Sequence, residues 1–482
     1  MVLLTLLGIS LVAAIILAFV GDRKIAPEIN IIGSAATFVA SIFLALQVYY
    51  EGPMITAEGF FFVDAFNVYL SVLTAFVSMT TAIFSRRYMR HEREHGKVGR
   101  AGMRFYHAMF QLFIFAMLLA LLTNNVGILW ISMELATLST VLLVSLYRTP
   151  SAVEAAWKYF ILCGVGIAQA LFGTVLLYFA AERVFGEGSA ALLWTNLSQS
   201  ADKLEPTVLS LAFIFFMVGY GTKVGLVPLH NWLPDAHSEG PTPISAVLSG
   251  LLLNVALYAL VRCKVLVDGA THSNKAGYIM MVFGLISILV SAFSLLRQKD
   301  IKRMFAYSSI EHMGIATFAF GLGGSVATFG ALLHMLVHSL TKSSIFFTVG
   351  HASQMHSSQE MSSIKGLIKG NPLVGWGLML GVIAIAGMPP FGVFTSEFLI
   401  LTAAMKNAPL LTPFFLLGII VAFAALFRKV MPMVFGAPPA YQKPLKASHI
   451  PVIVHMAAVL ILGLYLPVFL SQWFHTAVGL LK

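Results

Sequence analysis

Apolar runs of about 20 residues recur along the whole chain, each closed by a short polar or glycine- and proline-bearing segment. Hydrophobic residues fill every face of these runs, and the alternation that marks strands is absent. Such runs predict membrane-spanning helices, because a helix satisfies its own backbone hydrogen bonds inside lipid. About fourteen spans result, at roughly 2–20, 29–50, 61–84, 105–122, 126–147, 156–180, 207–233, 242–266, 277–296, 304–322, 326–350, 372–400, 409–435 and 451–475. The first run, "MVLLTLLGISLVAAIILAFV", has no basic start and no A-x-A cleavage site, and Arg23 and Lys24 follow it. It reads as a retained helix and not as a signal peptide.

Loop lengths repeat along the chain. Helices four to eight begin near 105, 126, 156, 207 and 242, and helices nine to thirteen begin near 277, 304, 326, 372 and 409. Each start in the second set lies about 170 residues after its counterpart. Five helices is an odd number, so the second set must be upside down relative to the first. The expected fold is an all-α membrane protein with two inverted five-helix repeats, 105–266 and 277–435. Three helices and a basic loop (1–104) precede them, and a last helix (451–475) follows, all within a single membrane domain, 1–482. Corresponding helices 7 and 12 are both interrupted, by "GTKVGLVP" and by "AGMPPFG" at 386–392. Proline removes a backbone donor and clashes with the preceding turn. The freed groups cannot face lipid, and paired interrupted helices point to an ion path.

Composition agrees with a polytopic membrane protein: 59% of the 482 residues are hydrophobic and only 10% charged, against about 25% charged in soluble proteins. The net charge of +10 would suggest nucleic acid, but its distribution does not. Arg23, Lys24, the seven basic residues from Arg86 to Arg104, Arg148, Lys158, Arg297, Lys299, Lys302, Arg303, Lys365, Lys369, Arg428, Lys429, Lys443 and Lys446 all fall on one side of the membrane, 21 of the 30 Lys and Arg residues. The positive-inside rule puts that side in the cytoplasm and both termini outside. Two cysteines, Cys163 and Cys263, are too few for an iron–sulfur cluster. No G-x-G-x-x-G follows a strand. No cofactor, metal or nucleic-acid partner is expected.

Ionisable residues inside spans cost about 2.5–3.5 kcal/mol each on insertion scales and are functional candidates. They are Glu134 in "WISMELATLS", Lys223, Glu311 and His312 in "AYSSIEHMG", His334, His338 and Lys342 in "LHMLVHSLTKSS", and Glu397 in "FTSEFLI". His334, His338 and Lys342, spaced i, i+4, i+8, share one helical stripe, about 6 Å apart along the axis. A proton relay is one reading. A bis-histidine haem or metal site is a second, which no cysteine or second histidine pair supports. Histidines bonded to neighbouring helices are a third. Glu134 and Lys223 suit a switchable pair. At 4 Å and an effective dielectric of 20 their attraction is about 4 kcal/mol, so moving the carboxylate away would let the amine release its proton. A static ion pair that fixes helix packing is the alternative. "LPDAHSEGPTP", just after His230, carries Asp235, His237 and Glu239 and no Lys or Arg. It reads as a cytoplasmic loop, either a proton entry funnel or a rigid turn stiffened by Pro234, Pro241 and Pro243.

"VPLHNWLPDAHSEGPTPISAVLSG" closely resembles the signature of the antiporter-like subunits of respiratory complex I, the group 4 membrane-bound hydrogenases and the multisubunit sodium/proton antiporters. "WISMELATLS", "WKYFILCG", "KDIKRMFAYSSIEHMGI", "LLHMLVHSLTKSSIFFTVG" and "GMPPFGVFTSEFLIL" follow the same family in order. "LLLNVALYAL", with "SSIEHMGI" and "GMPPFGVFTSE", looks most like component F of the hydrogenase-4 class. The resemblance implies a subunit of the prokaryotic plasma membrane that moves protons, or sodium, as redox chemistry proceeds elsewhere. It implies partners: other antiporter-like and small hydrophobic membrane subunits, and peripheral iron–sulfur or hydrogenase-like subunits. It implies Glu134 and Lys223 as the coupled pair, Glu397 as outward gate near the outer end of its span, and His334, His338 and Lys342 as relay. Lys158 matches the family's lysine after the helix-six tryptophan. Many relatives carry a helix-eight lysine where this sequence has Asn254, which an aqueous or histidine route would have to replace. The chain ends at Lys482, so the lateral helix of one complex I subunit is expected to be missing. A subunit of a stand-alone antiporter and a non-conducting membrane anchor are the other functions compatible with the sequence.

Overall fold

The protein is described here by a computed structural model covering residues 1–438 and 447–481. Lys443, Lys446 and Lys482 lie outside the described residues. The helices are α1 (Val2–Val20), α2 (Ala26–Glu51), α3 (Ala65–Glu94), α4 (Arg100–Leu122), α5 (Val126–Val144), α6 (Pro150–Phe185), α7 (Trp194–Gln199), α8 (Pro206–Val224), α9 (Trp232–Glu239) and α10 (Thr242–Val247). There follow α11 (Leu253–Thr271), α12 (Lys275–Leu295), α13 (Ile301–Leu322), α14 (Gly324–His356), α15 (Leu367–Gly370), α16 (Pro372–Ile385), α17 (Gly392–Asn407), α18 (Thr412–Phe435), α19 (Ile450–Leu464) and α20 (Val468–Leu480). Their starts carry the expected signals. Asp64 and Asn67 form a reciprocal capping box on α3, and Asn125 accepts the Gly127 and Ile128 N–H groups of α5. Proline opens α6, α8 and α16, where its missing N–H costs nothing.

The chain is an all-α membrane protein. Among the described residues, eleven helical stretches are long and apolar enough to cross a bilayer, and α19 with α20 makes a twelfth as a pair bent by 79°. The two other expected spans are α13, which carries Lys302, Arg303, Glu311 and His312, and the interrupted pair α16/α17. Large hydrophobic side chains point outward, among them Ile131, Leu138, Trp157, Val165 and Phe398, as lipid-facing surfaces require. Lys223, Glu311, His312, His334, His338, Lys342 and Glu397 turn inward, whereas Glu134 is partly exposed and Lys158 is exposed. Helices pack closely where small residues meet. A Cβ on Gly284 would fall 2.7 Å from the Gly314 carbonyl oxygen, between α12 and α13.

Four features differ from the sequence expectation. Residues of "LPDAHSEG" form α9, a buried helix, and not a loop. The last span is broken between Leu464 and Val468. A short hairpin, Met54–Thr56 paired with Phe61–Val63, closes the loop before α3. Between α10 and α11, Leu248–Leu252 is wound as a π-helix, a local form that concentrates at functional sites.

Candidate functional site

The first half of the site is built at a helix end. α8 stops at Val224 because Gly225 takes a left-handed conformation (φ 81°), its N–H reaching back to the Gly221 and Thr222 carbonyls. The chain then runs without regular helix to α9. Trp232 Nε1 donates to the Thr222 carbonyl at 2.8 Å, satisfying a freed acceptor of the broken end. Its indole stacks on Tyr159 of α6, ring centroids 4.4 Å apart. Lys223 lies in the last turn of α8, where the helix dipole favours a cation. Its side chain is fully buried, and Nζ is 3.9 Å from Glu134 Oε2 of α5. The same ammonium donates to Thr137 Oγ1, one turn along from Glu134, and lies 6.0 Å from the Tyr159 ring centroid. Glu134 keeps 21% of its side chain exposed, next to the outward-facing Ile131 and Leu138.

α9 follows the break, and its residues have partners that its own segment lacks. Asp235 accepts from Arg303 at 2.7 Å and from Lys158 at 3.4 Å, while Lys158 also bonds Glu154 at 2.6 Å. Ser151 donates to Glu239 at 2.9 Å. Lys302 donates to the Ser238 and Gly240 carbonyls at 2.9 and 2.6 Å, capping the helix. His237 is fully buried and stacked on Phe346, and neither ring nitrogen has a protein partner. His230 lies nearer the surface of this cluster, its ring centroid 6.0 Å from Tyr307.

The second half forms at the other break, between α16 and α17. Gly387 holds φ 67°, and a Cβ there would overlap Glu397 Oε2. Glu397 is 8% exposed, on the second turn of α17. It therefore sits beside the break and not near the outer end of the span, where the sequence placed it. His312 Nδ1 of α13 is 3.2 Å from His334 Nε2 of α14 and 3.7 Å from Glu397 Oε1. His334 Nδ1 is 3.0 Å from Ser396 Oγ. The His338 ring lies 5.6 Å from His312 and 6.3 Å from His334. One turn further, Lys342 donates to the Phe305 carbonyl at 3.1 Å. Glu311, buried on α13, is within electrostatic reach of Lys342 and Glu397. Asn254, two residues past the π segment, donates to Ser339 Oγ at 2.7 Å and to Met335 O at 3.2 Å, tying α11 to the histidine stripe. Ser249, within the π segment, meets Ser309 of α13 at 2.7 Å.

The structure thus gathers Glu134 with Lys223, and Glu311, His312, His334, His338, Lys342 and Glu397 in a second cluster with Asn254 beside it. No hydrogen bond or ion pair joins the two clusters directly among the described residues. One buried pair is not evident from the sequence. Arg262 bonds Asp64 at 2.6 Å, and its guanidinium is ringed by Trp194, Tyr258, Phe66 and Phe62 at 4.3–5.6 Å. Its position inside the expected span 242–266 was the available signal.

Residues 123–427 match the family described as NADH:quinone oxidoreductase/Mrp antiporter, transmembrane. The chain belongs to this antiporter family. The family match takes in both breaks and every candidate residue. Over 471 residues, 98% of each chain, the sequence is 49% identical to a hydrogenase-4 component F homolog of Methylacidiphilum infernorum (isolate V4). An archaeal membrane-bound sulfane sulfur reductase contains a chain of the same fold, TM-score 0.89 at 24% identity, covering 99% of this chain and 96% of that one. A chain of Thermus thermophilus respiratory complex I superimposes with TM-score 0.78 at 21% identity, covering 98% and 100%.

Proposed function

We propose that this antiporter-family chain is the ion-translocating membrane subunit of a hydrogenase-4 or complex I-type assembly, and that the ion is the proton. One observation carries the reading: a fully buried lysine, at a helix break, 3.9 Å from a partly exposed carboxylate. A carboxylate at the protein's outer edge can respond to a neighbouring subunit while its partner amine faces inward. When Glu134 is near, Lys223 holds its proton. When Glu134 withdraws, the amine passes the proton toward the second cluster, and the return of the carboxylate reloads it.

From there the route uses buried polar atoms that lack protein partners, the kind of groups that ordered water satisfies. They include Tyr220 Oη, Ser308 Oγ, Ser343 Oγ, Asn254 Oδ1 and both nitrogens of His338. His338, His312 and His334 carry the proton to Glu397, which releases it outward. An axis of imidazoles and amines suits protons; sodium calls for oxygen ligands. Residues 105–266 and 277–435 form the two translocating halves, with Asp235, His230, His237 and Lys158 on the cytoplasmic entry side and both chain termini outside. Partners are other antiporter-like and small hydrophobic membrane subunits and peripheral redox subunits. The test is to isolate the chain with its native partners, identify them, and measure turnover-driven proton uptake in vesicles. Partners with redox subunits and a proton gradient support the reading; a complex without redox subunits, or turnover without a gradient, refutes it.

A further inference from the structure

The cluster at the second break has the chemistry of a metal site. One donor atom each from His312, His334 and Glu397 lies within 4.8 Å of the others. The two imidazole nitrogens are 3.2 Å apart. Zinc with tetrahedral bonds of about 2.0–2.1 Å places neighbouring donors about 3.3 Å apart. His334 already commits Nδ1 to Ser396, which fixes the ring and leaves Nε2 facing His312. His338, fully buried with both nitrogens lacking a protein partner, lies beside these three donors, its ring centroid 5.6 Å from that of His312. The buried Glu311, whose Oε2 also lacks a protein partner, brings a second carboxyl group within electrostatic reach of Glu397. Lys342 opposes them from one turn beyond His338, held by the Phe305 carbonyl.

We propose that His312, His334 and Glu397 bind a divalent transition-metal ion, with Zn²⁺ as the representative species. Imidazole nitrogens favour zinc, cobalt, nickel and copper over sodium, magnesium and calcium. The sequence offers a metal reading only for the His334 and His338 stripe, because the three donors come singly from three helices. Occupancy fills the lone pairs that the relay uses, so a bound ion blocks outward release; this consequence rests on the proposed function, whereas the binding does not.

The test uses the full chain in its native complex, with Zn²⁺ alone as probe. Bound zinc per chain is counted by elemental mass spectrometry after dialysis, and affinity is measured by competition with a zinc-sensitive dye. The expected result is one zinc per chain, with affinity falling at least about tenfold in His334→Gln and in Glu397→Gln. His455→Gln, a buried histidine bonded to Thr80 and Leu340 away from the cluster, should bind as the parent does. Absence of saturable binding, or equal loss in His455→Gln, overturns the site. Should the cluster variants fail to fold, zinc-edge X-ray absorption of the parent chain decides: two or more imidazoles at about 2.0 Å support the site, and a shell without imidazole overturns it. Proton transport should fall with the same zinc dependence as binding. Transport that persists at saturating zinc overturns the block, and a chain that binds zinc but never transports overturns the relay instead.

Discussion

Replacing Gly387 by alanine should slow transport severalfold while the protein still folds. Gly387 holds φ 67°, a conformation that costs an L-residue about 1–2 kcal/mol. The new methyl would also overlap Glu397 Oε2. To regain van der Waals separation the carboxylate must move by about 1.3 Å. If that movement carries it from 3.7 Å to about 5 Å from His312, the attraction to a protonated imidazole at an effective dielectric of 20 weakens by about 1 kcal/mol, roughly sevenfold. Gly324→Ala is the matched control. Gly324 holds φ 75°, and a Cβ there meets no atom within 4 Å, so that variant pays the backbone cost alone. Thermal unfolding in detergent should show similar losses for both. Proton uptake per assembled complex should fall at least severalfold in Gly387→Ala and stay near the parent in Gly324→Ala. Equal transport in both variants would refute the argument that the break positions Glu397.

Three further outcomes follow from other parts of the structure. Arg262→Ala strands Asp64 in a buried aromatic box and should destabilise the fold by about 3–5 kcal/mol, read as lost assembly and a lowered unfolding temperature; replacing both residues by apolar ones should cost less. Glu397→Gln should leave assembly intact and lower proton release at least about tenfold, roughly 1.4 kcal/mol, and parent-like transport would reassign the gate. Asn254→Leu removes the bonds to Ser339 and Met335 and should cost about 1–3 kcal/mol, together with a fall in transport; unchanged transport would show that the route bypasses this amide.

The helices were legible because lipid demands a long, locally apolar run, a property of neighbouring residues. Lys223, Glu134 and the α14 histidines stood out for the complementary reason, that charge inside such a run is costly. What was not legible is convergence. His312, His334 and Glu397 meet through three helices, and only the break at 386–391 turns Glu397 toward them. α9 was misread because Pro234 looks like a turn residue; it falls in the first turn of the helix, where no intrahelical donor is lost. The partners of Asp235 come from α6 and α13, so a segment without Lys or Arg held no hint of Arg303 and Lys158 beside it. Arg262 lies within the expected span 242–266, but its partner Asp64 comes from a distant helix start, so the pair is not visible in the local sequence.

The central claim is that Glu134 and Lys223 act as one unit. A double-mutant cycle on turnover-driven proton uptake tests it most directly, using Glu134→Gln, Lys223→Met and the double variant in the assembled complex. The account predicts that each single change lowers uptake at least about tenfold and that the double variant is no slower than the singles. Parent-like uptake in either single variant, or losses that multiply in the double, would contradict it.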